Sequence, residues 1–353
     1  MRRRLRELGI AIGDLPAGPN NAITDVPDVH VGHATIIRDQ PVVVRSGVTM
    51  IVPRAGDIWT DFAFAAWHNF SGNGEMTGLP WIEESGLLGS PIGITNTHQV
   101  GLVRDLLVKE AVDLGVDEAF HLPVVAETYD GWLSTIESFP VCEDDARSAL
   151  RDAAPGPVAE GCVGGGTGMI CHEFKGGIGT ASRLTETPSG TYTVGVIVQA
   201  NYGSRRDLRI DGVPVGRLIG YDEVPSAGLD LSADGSIIVV VATDAPLLPV
   251  QCHRLAKRAA VGLGRVGGYG HNGSGDIFLA FATGNHIAAR PAGNHALEMV
   301  PSDHMDPLFH GVAEATEEAI LNALCAAETT VGRDGRVATA LPLDKVRELV
   351  VGS

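Results

Sequence analysis

Several short stretches of the chain set nucleophilic, acidic or amide side chains at the ends of apolar runs, where a strand would hold them still beside a cleft. In "LSADGSIIVVVATDAPL" (Leu231–Leu247) the pair Gly235–Ser236 stands at the seam between a polar loop and a β-branched run, with the serine as the first strand residue. A serine there could attack the carbonyl of the preceding glycine, whose missing side chain lets that peptide bend. Hydrolysis of the resulting ester would leave Ser236 as a new N-terminus, its own amine a built-in base for its hydroxyl. The same dipeptide is also ordinary turn chemistry, and alone it does not choose between the two.

Three further stretches offer partners. "YGHNGSGDIFLAF" (Tyr269–Phe281) clusters Asn272, Ser274 and Asp276 between glycines at the mouth of another apolar strand. The Ser274-x-Asp276 spacing puts both side chains on one face of an extended chain, where the pair could relay or orient a proton; a glycine-rich turn is the plain alternative. In "VVAETYDGWL" (Val124–Leu133) Glu127 and Tyr129 alternate at a strand end. A carboxylate there could hold a substrate ammonium and a phenol could donate to an oxyanion, or both could simply reach solvent. Asn201 closes "VIVQANYG", where its amide could polarise a carbonyl or make a turn.

Other motifs carry less. The glycine-dense stretch Glu160–Arg183 invites a phosphate-loop reading, but no Gly-Lys-Ser/Thr ends it and no clear helix follows. Close backbone packing is the better expectation. His30 and His33 point to opposite faces of a strand, while His304, Asp306 and His310 gather at a helix start as capping residues. With no CxxC either, neither a metal nor a cofactor is expected.

The elements that must position these residues are short apolar strands. Runs over Val42–Pro53, Pro91–His98, Leu122–Gly131, Gly177–Thr187, Thr191–Gly203, Ser236–Pro246 and Asp276–Asn285 read as strands, with turn signals at Ser189-Gly190 and Asp211-Gly212. Helical spacing marks Val100–Gly115, Pro249–Gly264, Asp306 to about Thr329, and Leu343–Val350. Uninterrupted apolar strands are buried on both faces. Without a regular β-α-β alternation, the order favours an α+β layered sandwich over a doubly wound sheet. The stretch Gly220–Gly235 has no periodicity, and a loop of that length in a compact domain is functional or mobile.

Composition sets the outer limits. The chain has 353 residues, a net charge of −17 and 44% hydrophobic residues, which suits a soluble globular protein and argues against nucleic acid. Five cysteines without a spaced framework suggest reduced thiols, and no run is long enough to span a bilayer, so a cytoplasmic protein is expected.

Taken together, the motifs resemble those of the DmpA-type aminopeptidases, the L-aminopeptidase/D-esterase-amidases and their β-peptidyl aminopeptidase relatives. The resemblance runs in order through "NAITDVPDVHVGH", "SGNGEMTG", "PIGITNTHQVG", "AETYDG", "GGGTGM", "FKGGIGTASR", "VQANYG", "DGSIIVVVATDAPLLP" and "NGSGDIFLAF". It implies a single α+β domain over 1–353, a four-layer αββα sandwich similar to Ntn hydrolases but with different connectivity. It also implies autoproteolysis into 1–235 and 236–353, and a homotetramer of processed protomers.

By motif, Gly235–Ser236 matches the scissile bond and Ser236 the nucleophile. Ser274 and Asp276 match the pair that assists it, Asn201 the oxyanion-hole amide, Tyr129 a second active-site hydroxyl, and Glu127 the carboxylate that binds the substrate amino group. The β-peptide-cleaving relatives carry glutamate in place of Asp276, and the shorter aspartate counts against a β-peptide preference. The implied substrates are short peptides, amino-acid amides or esters. The alternatives are an acyl transferase like the ornithine acetyltransferases, which self-cleave at threonine, a non-catalytic nucleotide-binding protein, or an inactive relative.

Overall fold

A computed structural model describes residues 2–56, 58–116, 120–226 and 235–352. Most of the aperiodic stretch before Gly235 (227–234) lies outside the described residues, and with it the expectation that this loop is functional or mobile.

The chain opens with strands β1 (His30–Arg38), β2 (Val44–Val52) and β3 (Asp61–Gly72), then α1 (Leu79–Ser85), β4 (Leu87–Leu88) and β5 (Ile92–Asn96). Helix α2 (Val100–Asp113), β6 (Val124–Thr128) and α3 (Glu143–Arg151) follow. The middle holds a small hairpin, β7 (Ile170–Cys171) and β8 (Phe174–Lys175), then β9 (Gly177–Thr187), β10 (Gly190–Asn201) and α4 (Val215–Leu218). The last part runs β11 (Ser236–Thr243), α5 (Pro249–Val266), β12 (Gly275–Ala288), α6 (Asp306–Ala326), the short pair β13 (Thr330–Val331) and β14 (Val337–Ala338), and α7 (Leu343–Val351).

Two sheets stack face to face. One has four strands in the order β1-β2-β5-β6, the other six in the order β4-β3-β12-β11-β10-β9. The alternation of β11 shows why they stack. Ile238, Val240 and Ala242 pack toward Ile92 and Ile94 of the smaller sheet. Ile237, Val239 and Val241 turn the other way, onto Leu255, Ala259 and Leu263 of α5 and Ala315 and Ala319 of α6. Successive residues of a strand face opposite sides, so a strand apolar at every position needs cover on both. Helices α2 and α3 cover the outer face of the smaller sheet through Val103, Leu107, Ala146 and Ala149. The layers are therefore helix, sheet, sheet, helix, as expected.

Helix α6 is buried along almost its whole length even though it carries acids. Arg183 of β9, fully buried, donates to Glu314 at 2.9 Å and to Glu318 at 2.7 Å, and Arg6 adds a further bond to Glu318 at 2.8 Å. Burial pushes the Glu318 carboxyl up, but the Arg6 bond and the Arg183 charge outweigh it and hold it below its ordinary value.

The short helices α1, α3 and α4 are absent from the sequence reading, and two further places depart from it. Strand β3, the neighbour of β12, is built from "DFAFAAWHNFSG", which has no β-branched residue and is only partly buried. It lacks the β-branched run of its neighbours, and its ladder to β12 completes the strand that its aromatic residues favour. The Asp211-Gly212 signal produces a turn closed by one bridge, Ile210 to Val213, and no strands extend from it.

Candidate active site

Strands β10, β11 and β12 lie side by side and bring their ends to one level. Asn201, the last residue of β10, pairs with Ser236, the first of β11, and Ser236 pairs in parallel with Gly275 at the start of β12. Two of the sequence candidates, Asn201 and Ser236, therefore meet because of strand register, with Ser274 and Asp276 on either side of Gly275. Ser236 is almost fully buried and lines a cavity of about 420 Å³ together with Gly235, Asn201, Glu127, Tyr129 and Thr97.

Gly235 is tightly constrained. A Cβ at this position would lie 2.3 Å from the Asn201 carbonyl oxygen and 2.8 Å from Tyr202 Cα, so only glycine passes here without a shift of backbone. Its own carbonyl oxygen accepts a hydrogen bond from the Gly275 N–H at 3.1 Å. That donor polarises the Gly235 carbonyl.

The Asn201 amide is oriented from both ends. Its Oδ1 accepts from the Ile170 N–H at 2.8 Å, and its Nδ2 donates to the Tyr129 carbonyl oxygen at 3.0 Å. The first bond fixes which end of the amide is which, and the second uses one of two Nδ2 hydrogens. Tyr129 sits just past β6 and is about half exposed, its ring folded over Gly131, where a Cβ would lie 2.3 Å from the phenol oxygen.

Ser274 immediately precedes β12 and donates from Oγ to Asp276 Oδ1 at 2.6 Å, so the spacing does place the pair on one face. The Ile237 N–H also donates to Asp276 Oδ1, at 3.2 Å. Burial pushes the Asp276 carboxyl up to about 6 against the opposing pull of these two bonds and of His271. Its ionisation thus falls near neutrality, where proton transfer is most useful. Asn272 stays exposed in the turn.

Glu127 arrives from the other sheet. It ends β6 next to Thr128, is buried, and accepts from the Glu75 N–H at Oε1 (3.0 Å) and from the Thr97 hydroxyl at Oε2. Burial raises its carboxyl above the ordinary value, and the Thr97 and Glu75 N–H bonds offset part of the shift. Thr97, Asn73 and Trp132, which also line the cavity, were not singled out from the sequence. Thr97 and Asn73 lie in the stretches "PIGITNTHQVG" and "SGNGEMTG", yet no spacing rule links either to Glu127 or to the Ser274 turn, where Asn73 donates to the Gly273 carbonyl at 2.8 Å.

The glycine-dense loop is no phosphate cradle. Gly164–Gly168 forms a buried 3-10 turn whose N–H groups are already used, Gly164 on Thr35 Oγ1 at 2.8 Å and Gly165 on Thr49 Oγ1 at 3.2 Å. Among the described residues no group of three or more His, Cys, Asp or Glu side chains converges as metal ligands would.

With this geometry in view, the profile of peptidase family S58 matches residues 21–338. The chain belongs to that family. It is therefore an aminopeptidase-type hydrolase acting on peptides, and neither the acyl transferase nor the nucleotide-binding alternative is retained. The chain is 46% identical over 364 residues to the beta-peptidyl aminopeptidase BapA of Sphingosinicella microcystinivorans, covering 98% of this chain and 91% of that protein. Among solved structures, a Burkholderia sp. beta-aminopeptidase superposes with a TM-score of 0.93 at 50% identity, covering 99% of both chains. The L-aminopeptidase D-Ala-esterase/amidase of Ochrobactrum anthropi, a variant among the Ntn hydrolase fold, gives a TM-score of 0.93 at 44% identity, covering 99% of this chain and 98% of that one. The expected sandwich with its Ntn-like architecture stands.

Proposed function

We propose that this S58 peptidase cuts its own Gly235–Ser236 bond and then uses Ser236 to release the N-terminal residue of short peptides, amino-acid amides or esters. The observation that carries this reading is the register that sets Asn201 opposite Ser236 at a cavity that Glu127 also lines, and that places Gly275, between Ser274 and Asp276, beside Ser236.

In the first phase Ser236 Oγ attacks the Gly235 carbonyl while the Gly275 N–H stabilises its oxygen. The amide nitrogen takes a proton and leaves as the Ser236 amine, and water hydrolyses the ester, giving 1–235 and 236–353. In the second phase Ser236 Oγ attacks the first carbonyl of a substrate whose ammonium pairs with Glu127. A carboxylate in the same cavity as the nucleophile restricts attack to the first residue. The free Nδ2 hydrogen of Asn201 donates to the tetrahedral oxyanion, a contribution of about 3–4 kcal/mol. The Ser236 amine or the Ser274–Asp276 pair takes the hydroxyl proton and returns it to the leaving amine. Water then frees the acyl group from Ser236. The Tyr129 hydroxyl is a second donor beside the cavity.

The similarity to enzymes named for β-amino acids and for L-amino acids and D-Ala esters brings both α- and β-amino-acyl groups into the substrate class, while the short Asp276 side chain still counts against a preference for β. The same reading carries a homotetramer of processed protomers. The unpaired thiols of Cys142, Cys162, Cys171, Cys252 and Cys325 support a cytoplasmic setting.

Intact mass spectrometry of wild type and Ser236→Ala tests the proposal. Two fragments meeting at Gly235/Ser236 are expected for wild type and a single inactive chain for the variant. An active wild type of full length would overturn it.

A further inference from the structure

The two residues that join β7 to β8 are His172 and Glu173, with φ of 49° and 63°. Consecutive left-handed residues make the tight hairpin turn that usually takes Asn-Gly, so here the surroundings must hold the conformation. They do so through the chain just after Asn201. The His172 N–H donates to the Tyr202 carbonyl at 2.6 Å, its Nδ1 donates to the Ser204 carbonyl at 2.9 Å, and its ring stands edge-on to Tyr202 at 4.9 Å. The same hairpin supplies the Ile170 N–H that orients the Asn201 amide.

Glu173 and Arg205 then tie this unit to the segment that leads toward the cleavage bond. Glu173 Oε1 accepts from the Arg205 N–H at 3.0 Å and from the Tyr221 hydroxyl at 3.3 Å, and Oε2 accepts from the Ser226 hydroxyl at 2.9 Å. The Arg205 guanidinium lies between the Phe174 and Tyr221 rings, at 4.3 Å and 4.6 Å from their centres, and donates to the Val224 and Pro225 carbonyls. Neither side chain lines the cavity. Both act on the reaction only through what they hold.

We propose that Glu173 and Arg205 are positioning residues, a clamp that holds the upstream chain at Val224–Ser226 and the Asn201 amide as one unit. The inference rests on the two-phase reading above. Gly235 packs against the Asn201 carbonyl before cleavage and must withdraw to free the Ser236 amine. The clamp gives that movement a fixed pivot, and keeps Asn201 aimed once the bond is broken.

Glu173→Ala removes the acceptors of the Arg205 N–H and of the Tyr221 and Ser226 hydroxyls, while Glu173→Gln keeps a carbonyl oxygen for the Arg205 N–H. Time-resolved intact mass and steady-state kinetics per titrated Ser236 site test both. Glu173→Ala is expected to slow self-cleavage about tenfold or more and to lower kcat of the processed fraction about 10- to 100-fold, with KM within about twofold, as misaimed catalytic groups do. Glu173→Gln should recover most of both. A part that serves stability alone would lower Tm and yield yet leave kcat per site at the wild-type value, and that result would overturn the proposal. If Glu173→Ala fails to fold, the double variant Tyr221→Phe, Ser226→Ala removes only the bonds from Glu173 to the upstream segment. Slower self-cleavage supports the clamp and an unchanged rate refutes it. A wild-type chain that never cleaves would instead sink the two-phase reading itself.

Discussion

Asn201 and Ser236 are cross-strand partners, the last residue of β10 directly opposite the first of β11. Side chains of opposed residues emerge on the same face of a sheet about 5 Å apart, so the proposed oxyanion donor and nucleophile are set against each other by backbone hydrogen bonds. A slip of one residue would send one of them to the helix side.

Loss of the amide should therefore strike turnover. Asn201→Ala is expected to lower kcat about 100- to 1,000-fold with little change in KM, the range for an oxyanion donor. Asn201→Asp keeps the acceptor for Ile170 but has no donor, and should be as severe. Because the Gly235 carbonyl is bonded to the Gly275 N–H, self-cleavage should lose less than turnover. Comparing the two rates in one preparation checks this ordering.

Gly235→Ala probes the close approach before Ser236. The added Cβ would lie 2.3 Å from the Asn201 carbonyl oxygen, and backbone must move to admit it. At about 1–3 kcal/mol for such overpacking, self-cleavage should slow about 5- to 100-fold. A time course of the full-length band on a gel would show it, and wild-type kinetics would contradict the packing argument.

Glu127 is held by Thr97 and the Glu75 N–H in a buried setting. Replacing it with Gln removes a charge-assisted bond to the substrate ammonium, and kcat/KM for free-amine substrates should fall about 10- to 100-fold. N-acetylated substrates should be poor for wild type and no worse for Glu127→Gln. A variant equally impaired on both would show that Glu127 does not read the amine.

Asp276 sets opposite pH demands on activity and stability. Its carboxyl lies at about 6, so the ionised form that can accept a proton from Ser274 fills only as pH rises through that value. The acidic limb of kcat/KM should fall there and disappear in Asp276→Asn together with most activity. Because the folded value exceeds the unfolded one, the carboxyl favours the fold below about 4 and that contribution is lost as pH rises through about 6. Asp276→Asn should therefore gain Tm relative to wild type at pH 8 but not at pH 4, as thermal melts at the two values would show.

Much of this was legible in the chain because apolar strands advertise themselves. The run Ser236–Thr243 is buried at every position, and Gly177–Thr187 forms a strand with the boundaries its composition suggests. Strand β3 was not legible, since it carries no β-branched run and only its Ala63–Ala65 stretch is buried. Nor were Thr97 and the Glu173–Arg205 clamp. Their partners are far along the chain, and a threonine after a strand or a glutamate in a turn has many commoner reasons to be there.

By itself the sequence determined which residues could react and which runs must be buried on both sides. It named Ser236, Ser274, Asp276, Asn201, Tyr129 and Glu127, and its motif order carried the family resemblance. It did not determine that Ser236 and Glu127 face one cavity, since they stand on different sheets, β11 in the six-stranded and β6 in the four-stranded one. That meeting depends on two sheets stacking through the apolar faces of Ile238, Val240 and Ala242, and on the register that levels the ends of β10, β11 and β12. Side-chain type is local information. The distance between two strand ends is fixed only when the layers pack.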